Sequence, residues 1–136
     1  MLIISSKVRY GTAALLELAN NYGGKLLQSK VIAERRGIPP NYLEQLLNLL
    51  TKAGIVRAVR GNKGGYGLAE DPANITFLQI LDILEGGGEH AGSGSLDALE
   101  DLYRLAEGEV KKVFSLSLAE LMIRQKNYDE GMMFHI

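Results

Sequence analysis

A stripe of positions recurs at spacings of three and four over residues 5–22: Val8, Thr12, Leu15, Ala19 and Tyr22, flanked by Gly11, Leu16 and Leu18. That period predicts a helix with one face turned to a core. Asn20-Asn21-Tyr22-Gly23-Gly24 supplies the stop, because glycine accepts the left-handed cap conformation. Ser29 is placed to cap a short helix over 30–36, which Gly37 ends. Ile38-Pro39-Pro40 leads in extended, and Pro40 suits the first turn of the next helix, where an N–H has no partner. This third helix spans 40–53, buries Leu43, Leu46, Leu47 and Leu50, and stops at Gly54.

The period then changes. Ile55–Val59 reads as a strand, Arg60–Gly65 as a glycine-rich turn, and Tyr66–Ala69 as a returning strand. Thr76 with Gln79 forms a capping-box pair that opens a helix to about residue 84. Residues 86–95 are a low-complexity stretch of glycine and serine expected to be a mobile loop. A long helix follows over 96–116, about 30 Å at about 1.5 Å per residue. Leu99, Leu102, Tyr103, Ala106, Val110, Val113 and Phe114 line one of its faces. Ser117 and Glu120 make a second capping box, for a short helix to about 125, and the tail 126–136 carries little pattern. The expected organisation is a unit over 1–70, a linking helix and loop over 71–95, and a helix with a tail over 96–136.

Composition adds something only through its distribution. The chain of 136 residues has a formal net charge of −1. Residues 1–68 hold ten Lys/Arg against three Asp/Glu, a net +7, and residues 69–136 hold five against thirteen, a net −8. Such a split suggests that the first half faces a polyanion. No stretch approaches the roughly 18 apolar residues of a membrane span, and Met1–Lys7 lacks the basic leader and apolar length of a secretion signal. The expected location is therefore cytoplasmic, with no membrane partner. The chain has no cysteine, which excludes disulfides and thiolate metal sites.

Three helices followed by a hairpin within 70 residues outline a winged helix-turn-helix. The expected fold class is mainly α (α+β): that domain, a small β-hairpin wing, and a long C-terminal helix. A helix can present side chains to the major groove, where all four base pairs are distinguishable. The outward face of helix 40–53 offers Asn41, Tyr42, Glu44, Gln45 and Asn48. Gln and Asn can pair with adenine, and Glu can accept from the cytosine amino group. No acidic residue occurs from Gln45 to Ala69, a span that holds Lys52, Arg57, Arg60 and Lys63. At the wing, Gly61 and Gly64 let the backbone approach a sugar–phosphate chain, and Arg60 and Lys63 supply charge for phosphate or a minor groove. Double-stranded DNA is the expected partner. A winged-helix module that binds protein instead is the alternative, since fold alone does not choose between them.

Other chemistry finds little support. His90 has Glu85 and Glu89 nearby, but one histidine among glycines gives no preorganised metal site. Gly61–Gly67 lacks the Gly-Lys-Ser/Thr ending of a phosphate-binding loop. Asp97, Glu100, Asp101, Glu107 and Glu109 form the solvated side of a helix, and no histidine or cysteine is paired with a nucleophile. Neither an enzyme nor a cofactor is expected. The apolar stripe of residues 99–114 fits either this chain's own core or a seam between two copies.

Several segments together resemble the Rrf2 family of bacterial transcription regulators. They are Lys7-Val8-Arg9-Tyr10, Ile38–Leu46, Ala53-Gly54-Ile55-Val56, Val59–Ala69, Ile75-Thr76, Ile80–Gly86 and Leu116–Leu121, so the likeness covers about 5–121. The resemblance implies a homodimer, a repressor on a roughly palindromic operator, joined through the long helix (Leu99, Leu102, Tyr103, Ala106, Val110, Val113, Phe114) with help from helix one. It implies DNA contacts from Tyr42, Glu44, Gln45, Arg60 and Gly61, with Arg9 near phosphate. Members of the family that carry an iron–sulfur cluster place three cysteines in the loop before the long helix. This chain has none, so its signal is expected to be of another kind, such as a small-molecule effector or a partner protein.

Overall fold

The computed structural model describes residues 4–86 and 97–133. Helix α1 (Ser6–Asn20) is capped by Ser5, whose hydroxyl accepts from the Val8 N–H at 3.3 Å. It ends two residues before the expected limit. Tyr22, placed in the buried stripe by its spacing, therefore lies beyond the helix and is 48% exposed. Helix α2 (Ser29–Arg36) starts one residue early. Ser29 is its first helical residue, and Gln28 at the N-cap makes no side-chain capping bond. Gly37 closes α2 in the left-handed conformation (φ +63°), which lets Ile38 turn into the core before Pro40 begins α3 (Pro40–Lys52).

Strands β1 (Val56–Val59) and β2 (Gly65–Leu68) pair antiparallel, with Val56 opposite Leu68 and Val59 opposite Gly65. The second strand begins and ends one residue earlier than the alternation suggests. Its far edge carries one bridge that the sequence pattern does not show: Leu27 and Tyr66 exchange two backbone bonds of 2.9 and 2.7 Å.

Helix α4 (Phe77–Glu85) opens with the expected capping box of Thr76 and Gln79. Helix α5 (Ala98–Phe114) is capped by Asp97. Helix α6 (Leu118–Met133) opens with Ser117 and Glu120 bonded reciprocally at 3.0 and 3.1 Å. It runs eight residues past its expected end at 125. The apolar pattern fades after Ile123, but nothing there breaks a helix, and Gln125 bonds Asp129 one turn on at 2.9 Å. The expected mobile loop, with Glu89 and His90, falls mostly on 87–96 and so lies outside the described residues.

One core joins these elements. Leu15 and Leu18 of α1, Leu43, Leu46, Leu47 and Leu50 of α3, Val56 and Leu68 of the hairpin, Ile80 and Leu84 of α4, and Leu118 of α6 belong to a single buried cluster. The core therefore runs across the expected boundaries at 70 and 95. Helices α1 and α4 pack together at Gly11, where an added Cβ would sit 2.4 Å from a Leu84 methyl carbon. Thr76 and Ser117 form an isolated bridge: Phe77 N–H donates to Leu116 O (3.0 Å) and Leu118 N–H to Ile75 O (2.8 Å). The starts of α4 and α6 are thereby clipped together, and the chain between them leaves the body and returns. Helix α5 lies in that excursion and has no buried residue.

Leu47 is fully buried under α3. Leu47→Ala is expected to cost about 2–5 kcal/mol of unfolding free energy, read from urea denaturation. A loss under 1 kcal/mol would mean that α3 is not anchored by its leucine face.

Candidate nucleic-acid interface

The candidate surface begins with the constraint on α3. Leu43, Leu46, Leu47 and Leu50 are buried, so the opposite side of the same helix must face out. Asn41, Glu44, Gln45 and Asn48 are exposed there in one stripe, and Lys52 continues it. Tyr42, expected on the outward face, is half-buried instead. Its ring packs edge-on against Tyr10 of α1, with centroids 5.8 Å apart and planes at 81°. That contact braces the first turn of α3 against α1.

Helix α2 is anchored by Ile32 and Ala33, which are buried in the core, and ion pairs to α1 add to that contact. Glu17 of α1 accepts from Arg36 Nε at 2.8 Å and from Arg35 at 3.4 Å. Two of the basic residues counted in the N-terminal half are therefore paired with a carboxylate within the chain. Lys52, Arg57, Arg60 and Lys63 are exposed, and none pairs with a carboxylate among the described residues. The N-terminus of α2, with Lys30 exposed in its first turn, has no side-chain cap. Such an end can hold a phosphate oxygen, and it is left open because Ser29 lies inside the helix and does not cap it.

The wing depends on its glycines. Gly61 sits at φ +108° and Gly65 at φ +150°, and Gly64 N–H donates to Gly61 O at 2.9 Å. A Cβ on Gly64 would lie 2.1 Å from Val59 O, and one on Gly65 would lie 2.7 Å from Leu27 O. No side chain fits at either place. Arg60, Gly61 and Lys63 are exposed at the tip and Gly64 is half-buried. Arg9 is exposed on α1, where its Nε donates to Ile4 O at 3.0 Å. It is set on a different element from both the α3 stripe and the wing.

The long helix shows its apolar stripe openly. Leu102 is 56% exposed, Val113 65%, and Leu105, which the stripe omits, 65%. Leu99, Tyr103 and Ala106 are also exposed, while Val110 and Phe114 are half-buried. Phe114 is engaged within the chain, its ring centroid 4.7 Å from that of Phe77.

A three-helix core with a buried-face third helix, a tight glycine turn before it and a glycine-rich cationic hairpin after it define a winged helix-turn-helix DNA-binding protein. Comparison with known proteins gives the family. Residues 4–123 match Rrf2, described as an iron-dependent transcriptional regulator, and the chain belongs to that family. It is 35% identical to the transcriptional regulator CymR of Bacillus subtilis over 98% of this chain and 99% of that protein. Two solved structures share the fold at a TM-score of 0.81. One is IscR of T. potens, 34% identical over 91% of this chain and 88% of that one. The other is CymR of B. subtilis, described as the global cysteine regulator, 35% identical over 91% and 98%. The protein is thus a DNA-binding transcriptional regulator and not an enzyme.

The iron of the family description does not fit this chain as a cysteine-ligated cluster, because the chain has no cysteine. Among the described residues no three His, Asp or Glu side chains gather as a metal site, and no helix is long and apolar enough to cross a membrane.

Gly64→Ala is expected to distort the wing and weaken DNA binding by tenfold or more while leaving the helical circular-dichroism signal unchanged. Unaltered affinity in fluorescence anisotropy would show that the wing does not touch DNA.

Proposed function

We propose that the protein is a homodimeric repressor on a roughly palindromic operator. Helix α3 lies in the major groove and the wing on the flanking backbone. The observation that carries this reading is the exposed Asn41, Glu44, Gln45 and Asn48 stripe on a helix whose other side is locked by buried leucines. Rigid backing of this kind gives base-reading side chains a fixed register. Gln45 and Asn48 suit adenine and Glu44 suits cytosine. Arg60, Lys63, Gly61 and Gly64 grip the sugar–phosphate chain, Arg9 meets phosphate, and Tyr42 contributes through the part of its ring left open by Tyr10. Repression follows from occupying promoter DNA against polymerase.

The exposed stripe of α5 supports the dimer. A helix of 17 residues with no buried side chain is marginal in water by itself. Its line of Leu99, Leu102, Tyr103, Ala106, Val110 and Val113 provides a seam for a second copy. Two-fold symmetry of that kind places two α3 helices on two half-sites, hence the palindrome. The signal acts through a small-molecule effector or a partner protein.

Anisotropy titration against labelled genomic fragments across a salt series tests the DNA reading. A preferred fragment is expected, with affinity falling steeply as salt rises. Gln45→Ala is expected to relax base preference at one operator position by about 1–3 kcal/mol. Affinity that ignores salt, or specificity that ignores Gln45, would sink the assignment. For the seam, Leu102→Glu is expected to turn a dimer into a monomer in sedimentation at micromolar concentration, and a wild-type monomer would remove the dimer.

A further inference from the structure

A cavity of about 340 Å³ lies between the loop that follows α1 and strand β2. Leu18, Leu26 and Leu68 give it apolar walls, and Lys25 and Arg57 give it charge. No acidic residue lines it, and neither cation pairs with a carboxylate among the described residues. Two uncompensated cations beside apolar surface suit an organic anion: the anionic group takes charge-assisted bonds and the body is shielded from water. The volume falls within the range of small-ligand pockets, about 300–1,000 Å³.

The cavity is distinct from the proposed DNA face. No residue of α3 lines it, and neither does any residue of the wing tip, 60–64. It is nevertheless joined to the wing. Gly67 stands opposite Arg57 in the hairpin. A Cβ there would come within 2.9 Å of a Leu26 methyl and 3.7 Å of Arg57 Nε, so the bare backbone lets both side chains close over the strand. Leu27, the next residue, is clipped to Tyr66 by its two backbone bonds. The cavity wall and β2 are therefore one bonded piece, and β2 runs through Gly65 directly into the wing tip.

We propose that this cavity is an effector site for a small organic anion. Its anionic group meets Lys25 and Arg57, its apolar body meets Leu18 and Leu26, and its occupancy resets the wing. The binding half stands on the cavity alone, and the regulatory half rests on the DNA-binding reading above.

The binding test is a nuclear magnetic resonance titration of the full chain, without DNA, using benzoate and separately inorganic phosphate as probes. Benzoate is expected to give saturable shifts at the amides of residues 22–26 and 66–69, and Lys25→Gln with Arg57→Gln together to weaken it at least tenfold. The proposal fails if those amides do not move, if the double variant binds equally well, or if phosphate binds as tightly as benzoate, which would leave the apolar walls without a part. Because no DNA is present, failure here is separate from failure of the DNA reading. Regulation is read by operator anisotropy with and without benzoate, where a change in affinity of threefold or more is expected and none would remove the coupling to the wing. A tenfold loss of DNA affinity in Lys25→Gln without any anion would make Lys25 a DNA contact and overturn the site.

Discussion

Burial of one face of α3 is the constraint on which the rest of the molecule depends. Leu43, Leu46, Leu47 and Leu50 are locked against α1, α2 and the hairpin. Each fully buried leucine contributes on the order of 1.5–3 kcal/mol, so rotation of the helix about its axis is strongly opposed. The consequence is functional: a helix that cannot roll presents one fixed set of polar side chains. Tyr42 reinforces the lock by turning inward to meet Tyr10, giving up part of its outward surface for a brace at the first turn of the helix.

A second constraint governs the other half. The bridge between Thr76 and Ser117 ties the starts of α4 and α6 together, each stabilised by its own capping box. Helix α4 is then pressed onto α1 at Gly11, where only a hydrogen atom leaves room for Leu84. These contacts consume the apolar faces of α4 and of the beginning of α6. Among the described residues α5 has no fully buried side chain, and its Phe114 packs against Phe77. An amphipathic helix excluded from its own core is the physical basis for reading it as a contact between copies.

Charge is divided in the same economical way. The excess of basic residues in the N-terminal half is real, but it serves two purposes. Arg35 and Arg36 hold α2 to α1 through Glu17, while Arg60 and Lys63 stay exposed at the wing. Lys25 and Arg57 are set apart from both, around a cavity at the base of the hairpin. With no cysteine the chain cannot hold a cysteine-ligated iron–sulfur cluster, and the effector site proposed at these two cations adjoins the strand that leads into the wing.

The sequence by itself determined the elements and the helix faces, because each rests on local order. The leucine spacing of α3, the two capping boxes, the glycine turn at Gly37 and the glycines of the wing all act within a few residues of themselves. The candidate DNA stripe was legible for the same reason: Asn41, Glu44, Gln45 and Asn48 are what the leucines leave facing out. Only the tertiary structure decided what depended on distant partners. Tyr22 fell outside the stripe because the helix ended early, Ser29 lost its capping role, and α6 continued past the point where its apolar pattern faded. Tyr42 turned to Tyr10, Leu27 joined β2, Phe114 found Phe77 while the rest of α5 stayed exposed, and Lys25 came to share a cavity with Arg57. Spacing along a chain reports which side chains share a face, and it carries no information about what packs against that face.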